Sequence, residues 1–298
     1  MMKNRFLTGV AVTALSLACI TPVLASGASR MAMQKQVEMS MLLSGTIDVN
    51  PDGSVAGYRI DQADSLPEGV TRLIANNVPN WTFEPVLVDG KPVLARARMG
   101  LNLVATQAGE DKHEVRIDSA SFGDAKDRPA AETISKVRMD PPAYPQEAAR
   151  SNVTGTAYVV VKVGPDGRVA DVMIEQVNLT VLGDAGQLQR ARAVLSRAAM
   201  RAAKHWTFSP PSRGEMADDP FWVVRVPVDY ALLERGERQP EEDGPAYGRW
   251  RSYIPGPRTE VPWKIGSQDS DAFKPDAMLA GMSYTAGSGL QLLTPLDE

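Results

Sequence analysis

Cysteine is almost absent from this chain, whose 298 residues contain one, Cys19. Cys19 lies in an apolar N-terminal stretch, so the chain beyond that stretch has no thiol, which excludes disulfide bonds and thiolate metal sites there. Histidine is nearly as scarce, with only His113 and His205, and two separated histidines do not by themselves make a metal centre or a catalytic triad. The formal net charge is -4, so the chain as a whole lacks the basic footprint of a nucleic-acid-binding protein.

The sequence also lacks the short motifs that carry common catalytic chemistry. It contains no G-x-S-x-G elbow, no phosphate-binding loop and no H-E-x-x-H zinc motif. Residues 48–53 read D-V-N-P-D-G and match the start of a calcium loop, but Arg59 stands where that loop requires a glutamate. We therefore predict a hairpin turn at this position, and we expect no enzymatic activity, no metal and no cofactor.

The first 25 residues differ in character from the rest of the chain. Lys3 and Arg5 precede an apolar stretch from Phe6 to Ile20, and Val23-Leu24-Ala25 offers the small residues that a signal peptidase recognises. We predict a signal peptide at 1–25 and a periplasmic location. An uncleaved inner-membrane anchor, with the bulk of the chain in the periplasm, is the alternative because the stretch is long enough to span a bilayer.

An ordered pair of motifs occurs twice in the sequence. Pro-Asp-Gly at 51–53 and 165–167 is followed each time by a helix-like segment and then by Trp-Thr-Phe-x-Pro, at 81–85 and 206–210. Proline presets φ and glycine tolerates a positive φ, so each Pro-Asp-Gly is predicted to close a β-hairpin. The repetition predicts one small unit that is present twice.

The second copy has the clearer periodicity. A valine-rich strand precedes its turn, and residues 169–175 return as the partner strand. Asp184 and Gln187 have capping-box spacing ahead of an apolar helical stripe that ends at Trp206. Residues 222–230 alternate as a third strand. This order predicts an α+β fold, in which a small antiparallel three-stranded sheet carries a helix on one face.

The first copy repeats the pattern more compactly, with a capping box predicted at Ser65 and Glu68. A polar linker with a short strand at 115–117 is predicted between the copies, and the tail is predicted to be extended or disordered because its periodicity stops. The predicted division of the chain is a signal peptide at 1–25, a first unit at 37–105, a linker at 106–135, a second unit at 136–232 and a tail at 233–298.

The predicted helix of the second copy carries a row of cations without an acid between residues 187 and 206. Such rows are common on solvated helix faces, and they also suit phospholipid headgroups or an acidic partner. Both interpretations stay open at this point. The cations are Arg190, Arg192, Arg197, Arg201 and Lys204.

The second copy resembles the TonB C-terminal domain family over residues 141–230, and the first copy resembles a degenerate relative over residues 37–104. The motifs follow the family's order: Tyr-Pro before a short helix, a Gly-led strand, an Asp-Gly turn, an Ala-rich helix and Trp-x-Phe-x-Pro. The first copy lacks the Tyr-Pro. The residues that carry the resemblance are Tyr144, Pro145, Gly155, Asp166, Gly167, Trp206, Phe208 and Pro210.

The resemblance implies peptide capture by strand addition, in which an extended segment of an envelope or outer-membrane protein pairs with an exposed sheet edge. By the family match, that edge is the last strand of the second copy. Pro227 agrees with an edge position because proline is excluded from central strands. The residues implied at the peptide-binding edge are Trp222, Val223, Val224, Arg225, Val226 and Val228.

From this resemblance we expect a periplasmic TonB-like binding protein that acts in TonB-linked transport. We expect it to bind no nucleic acid and to have no enzymatic activity. One alternative is a membrane-anchored energy transducer, which contacts the membrane only if the N-terminal segment is retained. Another is a structural envelope module whose edge is already occupied by the other copy, by a second chain or by tail residues such as 289–294.

Overall fold

The computed structural model describes residues 37–107, 113–123, 131–214, 216–231, 247–263, 284–285 and 290–296. The predicted signal peptide lies outside these residues. Within the described part of the chain, no helix has the length and apolar character needed to cross a membrane.

The described elements are mostly strands with a few helices between them, and the larger sheets are antiparallel, as the α+β prediction requires. The α-helices are α1 (Glu68–Asn77), α2 (Gln146–Arg150) and α3 (Ala185–Ala203). The strands are β1 (Glu38–Val49), β2 (Val55–Ile60), β3 (Leu87–Val88), β4 (Lys91–Pro92), β5 (Ala95–Gln107), β6 (His113–Phe122), β7 (Ser135–Arg138), β8 (Gly155–Val163), β9 (Val169–Leu179), β10 (Thr207–Ser209), β11 (Trp222–Tyr230), β12 (Arg251–Tyr253) and β13 (Tyr284–Thr285).

Sheet 1 has five strands. Four of them follow the order β12-β1-β5-β6, and the fifth, β2, pairs with another part of β1 on the same side as β12. The predicted hairpin joins β1 to β2, from Gly45 opposite Ile60 to Val49 opposite Val55. Helix α1 buries Val70 and Ile74 in a hydrophobic core that it shares with β1 and β5.

Sheet 2 has four strands in the order β13-β11-β8-β9, and α3 covers one of its faces. The predicted capping box is confirmed, because Gln187 N–H donates to Asp184 Oδ1 at 2.8 Å and Asp184 N–H donates to Gln187 Oε1 at 3.0 Å. Leu188 and Leu195 of α3 are buried against the inner side chains of β8 and β11. The core of sheet 2 is a cluster separate from the core of sheet 1.

Both sheets are wider than the three strands predicted, because residues assigned to the linker and the tail supply further strands. Strand β6, within the predicted linker at 106–135, pairs with β5 from Met99 to Gln107. The sequence did not predict its full length because many of its residues are polar. A bulge opposite Asn102 and Leu103 also breaks the alternation of inward and outward side chains, so that Ile117 and Ala120 both face the core. This strand contains the short strand predicted at 115–117 and extends it on both sides, so that residues 113–122 are part of sheet 1.

The capping box predicted at Ser65 and Glu68 is also wrong. Residues 63–65 form a short 3-10 turn, in which the Ser65 hydroxyl donates to Gln62 O at 2.7 Å. Helix α1 therefore begins after Pro67, which has no side-chain acceptor, and none of the described side chains caps it.

The tail is partly built into the fold. Residues 251–261, which we call the strap, run extended from sheet 1 to sheet 2. Strand β12 pairs with β1 at Glu38–Ser40. Ile254, which directly follows β12, exchanges backbone hydrogen bonds of 2.7 and 3.1 Å with Leu179 of β9. Residues 232–246 and 264–283, where the tail was predicted to be extended or disordered, lie outside the described residues.

The two Pro-Asp-Gly turns make the same long-range contact. Phe83 N–H donates to Gly53 O, and Phe208 N–H donates to Gly167 O, each at 2.8 Å. Both glycines have positive φ, 87° and 75°. The turn and the Trp-Thr-Phe segment recur together in the sequence because they are hydrogen-bonded neighbours in the fold.

Candidate functional site

Strand β11 lies beside the outer edge of sheet 2. On its inner side it pairs with β8 along its whole length, from Trp222 opposite Val163 to Tyr230 opposite Gly155. On its outer side it pairs with β13 at Val224 and Arg225 alone. Along the rest of β11, the described residues place no strand on the outer side.

The opposite edge of sheet 2, along β9, is filled by the strap. Beyond the Leu179–Ile254 pair, Gly256 N–H donates to the side-chain oxygen of Asn178 at 3.1 Å. Thr259 N–H donates to Glu175 O at 2.7 Å. Among the residues that the structure describes, the two edges of sheet 2 are therefore unequal, and β11 has the more open one.

The faces of sheet 2 are covered as well, although a helix on one face was all that the sequence predicted. On the face opposite α3, Val261 of the strap packs with Val160 and Val223. Beside this cluster, the Glu175 carboxylate, 1% exposed, accepts hydrogen bonds from Arg225 at 2.9 Å and from Arg258 of the strap at 3.0 Å. An added partner strand can therefore reach sheet 2 at its edge, but not over its faces.

The side chains of the residues predicted to bind a peptide are all buried. They alternate between the core under α3 and the face under the strap, and none exceeds 8% exposure. Any pairing at this edge must therefore use backbone N–H and C=O groups, which is how strand addition works. The residues concerned are Trp222, Val223, Val224, Arg225, Val226 and Val228.

Pro227 indicates which residues of β11 point their backbone N–H and C=O groups toward the outer edge. This residue lies in the middle of the pairing with β8, opposite Tyr158, and a proline fits such a strand where its nitrogen faces away from the neighbour. Backbone groups of successive residues in a strand point to opposite sides. Arg225 and Asp229 therefore also point their N–H and C=O outward, and Arg225 is one of the two residues that pair with β13.

The aromatic members of the family motif fix the framework behind this edge. The Tyr144 hydroxyl donates to Val153 O, and its ring packs edge-on against Tyr230, with ring centroids 5.8 Å apart. Burial raises the pKa of both tyrosines above the usual value. The Trp206 indole N–H donates to Asp140 O at 2.9 Å, and Trp206 is 3% exposed.

The remaining motif residues shape the turn and the strand start. Pro145 stands immediately before α2, and Asp166 accepts a 3.0 Å hydrogen bond from Arg168 N–H. A Cβ at Gly155 would lie 2.2 Å from Asn178 O, and one at Gly167 would lie 2.1 Å from Phe208 O and 3.4 Å from Pro210. The motif residues thus stabilise the fold of sheet 2, and their contacts lie away from the outer edge of β11.

The row of cations on α3 divides into two groups. Arg190, Arg197, Arg201 and Lys204 are exposed. Arg192 instead donates to Val177 O at 3.2 Å and to Pro255 O at 3.0 Å, and desolvation by burial lowers its pKa. Arg192 therefore fastens the strap to β9.

Sequence reasoning missed the residues that hold the strap in place. Glu175 gave a weak signal, as an acid directly after the apolar run at 172–174, but its partner Arg258 stands in a Pro- and Gly-rich tail. Among the described residues, no group of three or more His, Cys, Asp or Glu side chains is placed to hold a metal ion.

The fold and its edge define a class of protein: a small α+β domain whose antiparallel sheet is covered on both faces and at one edge. A family model described as Gram-negative bacterial TonB protein C-terminal matches residues 140–178. This part of the chain, from the approach to α2 through most of β9, is similar to the TonB C-terminal domain family.

Curated relatives carry the same family name. Protein TonB from two strains of Xanthomonas campestris pv. campestris is 36% identical over 104 residues, which are 35% of this chain and 40% of the relative. Protein tonB2 from Pseudomonas aeruginosa is 31% identical over 91 residues, 30% of this chain and 28% of the relative. The similarity therefore covers less than half the length of each of these proteins.

Proposed function

We propose that this chain is a periplasmic, non-enzymatic TonB-family protein that captures an extended segment of an outer-membrane or other envelope protein. The segment adds as a strand to the outer edge of β11. The resulting complex acts in energy-coupled transport across the cell envelope. The observation that carries the proposal is the inequality of the two edges of sheet 2. The strap fills the β9 edge, whereas the described residues engage the outer side of β11 at Val224 and Arg225 alone.

The proposal also includes an internal repeat, in which sheets 1 and 2 are two related TonB C-terminal-like units. The shared contact between each Pro-Asp-Gly turn and its Trp-Thr-Phe segment supports it. Sheet 2 is the unit that captures the partner, because the family match falls on its strands.

Capture by β11 has a defined stereochemistry. An incoming strand replaces β13 at Arg225 and continues toward Tyr230. At Asp229 it gains one donor and one acceptor, while at Pro227 it gains an acceptor only. Each backbone hydrogen bond contributes about 0.5–1.5 kcal/mol net, so affinity depends on how many outward groups of β11 are paired.

Backbone amide shifts test this proposal on the full exported chain. The probe is a synthetic peptide from the periplasm-facing segment of an outer-membrane receptor of the same bacterium. We expect amide shifts along 222–230 and none along 169–179, because the strap already occupies the β9 edge. A peptide that binds without moving the β11 amides would contradict the proposal.

A matched pair of variants isolates the backbone contribution at the open end of the edge. Asp229→Pro removes an outward N–H without touching the ladder to β8, whereas Asp229→Ala removes the same side chain, including its hydrogen bond with Thr156, and keeps the N–H. We expect the proline variant to bind the peptide about fivefold more weakly than the alanine variant, as the loss of one hydrogen bond of about 1 kcal/mol requires. Equal affinities would refute outward pairing at Asp229.

A structural role with an occupied edge is the second candidate, and the pairing of β13 with β11 favours it. In that case the Arg225 amide exchanges as slowly as core amides and does not respond to peptide. Under the peptide-capture proposal, its protection increases when peptide binds.

The mass of the exported protein tests whether the chain is released into the periplasm or stays anchored in the membrane. Loss of residues 1–25 fits the periplasmic proposal. Retention of these residues identifies a membrane-anchored energy transducer.

A further inference from the structure

The C-terminal segment, residues 290–296, adds a short strand to the Trp-Thr-Phe region of sheet 1. Phe83 and Leu292 form an antiparallel bridge. This placement corrects the suggestion that tail residues 289–294 cover β11, because the described part of that stretch lies against residues 82–84. The backbone bonds are Glu84 N–H to Gln291 O at 2.9 Å and Leu293 N–H to Thr82 O at 2.8 Å.

The matching position in sheet 2 is filled from a different part of the sequence. There β10 pairs with β7, with Phe208 opposite Lys136. Each Trp-Thr-Phe segment thus lies between its Pro-Asp-Gly turn and one added strand. Each addition also brings a buried aliphatic side chain to the core of its sheet, Ile134 at 2% exposure in sheet 2 and Leu292 at 5% in sheet 1.

The segment binds through a periodic pattern of side chains. Leu290, Leu292 and Leu296 pack on the core of sheet 1. The Thr294 hydroxyl oxygen accepts a 2.8 Å hydrogen bond from Thr82 N–H. This arrangement is that of an extended peptide in a strand-addition site, where backbone bonds give affinity and alternate side chains give specificity.

The segment is an imperfect ligand for this position. The Gln291 Oε1 atom is buried and has no hydrogen-bond donor among the described residues, and an unpaired buried acceptor is unfavourable. Leu293 is 56% exposed, so it contributes little apolar burial. A peptide with an aliphatic residue in place of Gln291 would bind here more tightly than the chain's own segment.

We infer that the position beside residues 82–84 is a peptide-acceptor site, which the chain's own segment 290–296 occupies as an exchangeable ligand. Its ligands are short extended peptides with aliphatic residues at the first, third and seventh positions and a hydroxyl at the fifth, as at 290, 292, 296 and 294. This site belongs to sheet 1 and is independent of peptide capture by β11.

Amide hydrogen exchange on the full chain tests the site, with adjacent amides as internal controls. Glu84 N–H bonds to the segment, while Phe83 N–H bonds to Gly53 O and does not. In Leu292→Asp, we expect Glu84 to exchange at least about tenfold faster and Phe83 and Phe208 to keep their protection. A synthetic peptide of residues 289–296 should then restore Glu84 protection, and the same peptide carrying Leu292→Asp should not.

A second variant keeps the test valid if Leu292→Asp does not fold. Gln291→Leu replaces the unpaired oxygen with an aliphatic group, and we expect it to slow exchange at Glu84 by about tenfold, which corresponds to about 1.4 kcal/mol. Unchanged Glu84 exchange in Gln291→Leu, or no rescue by peptide in a folded Leu292→Asp protein, would overturn the inference. Glu84 protection that grows with protein concentration, together with dimer formation, would also overturn it, because a second copy would then supply the segment.

Discussion

The contact between each Pro-Asp-Gly turn and its Phe makes a quantitative prediction about glycine replacements. A Cβ at Gly167 would lie 2.1 Å from Phe208 O, and one at Gly53 would lie 2.2 Å from Phe83 O. Both positions also have positive φ. Replacement by alanine therefore combines a left-handed backbone, which is unfavourable by about 1–2 kcal/mol, with displacement of a hydrogen-bonded segment, a loss of about 1 kcal/mol. We expect about 2–3 kcal/mol of destabilisation for Gly167→Ala and for Gly53→Ala.

The chain contains matched controls for the two contributions. Gly90 has φ of 72° and open space around its Cβ position, so Gly90→Ala reports the backbone cost alone, about 1 kcal/mol. Gly57 has neither constraint, so its alanine variant should leave stability nearly unchanged. The free energies of unfolding come from urea denaturation, followed by the fluorescence of Trp81 and Trp206, which are buried in the two cores. A Gly167→Ala variant no less stable than Gly90→Ala would refute the reasoning.

Two further predictions concern buried polar groups of sheet 2. Glu175→Gln should destabilise the protein by about 3 kcal/mol in urea denaturation, because it breaks a buried ion pair with Arg225. Arg258→Gln should cost less than about 1 kcal/mol, because the Arg258 side chain is itself partly exposed. Because burial raises the pKa of Tyr230, the unfolded chain releases that proton first, so stability should fall as the pH rises past 10. Tyr230→Phe should lessen that alkaline loss by up to about 1.4 kcal/mol per pH unit, and an unchanged slope between pH 10 and 11 would contradict this.

The elements with strong local periodicity were predictable from the sequence. Val-rich β8 and the capped, striped α3 obey rules that act over a few residues, so both the hairpin and the helix cap were found. The predictions failed where long-range pairing decides the structure. Strand β6 is polar on one side and carries a bulge, so alternation along its sequence is broken even though β5 pairs with it throughout.

The candidate edge could be located from the family match, but its occupancy could not. Ile254 and Leu292 lie in a tail that is rich in proline and glycine. Ile254 exchanges backbone bonds with Leu179 of β9, and the neighbours of Leu292 bond Thr82 and Glu84. Such bonds leave no signature in composition. Glu175 and Arg258 are likewise far apart in sequence, and the fold alone makes them partners.

The most direct test of strand capture by β11 is the pattern of backbone amide shifts in the full exported chain during titration with the receptor-derived peptide. The account predicts shifts at Arg225 and Asp229, with the amides of β9 unmoved. Saturable binding that leaves residues 222–230 unperturbed, or that moves the β9 amides instead, would contradict it.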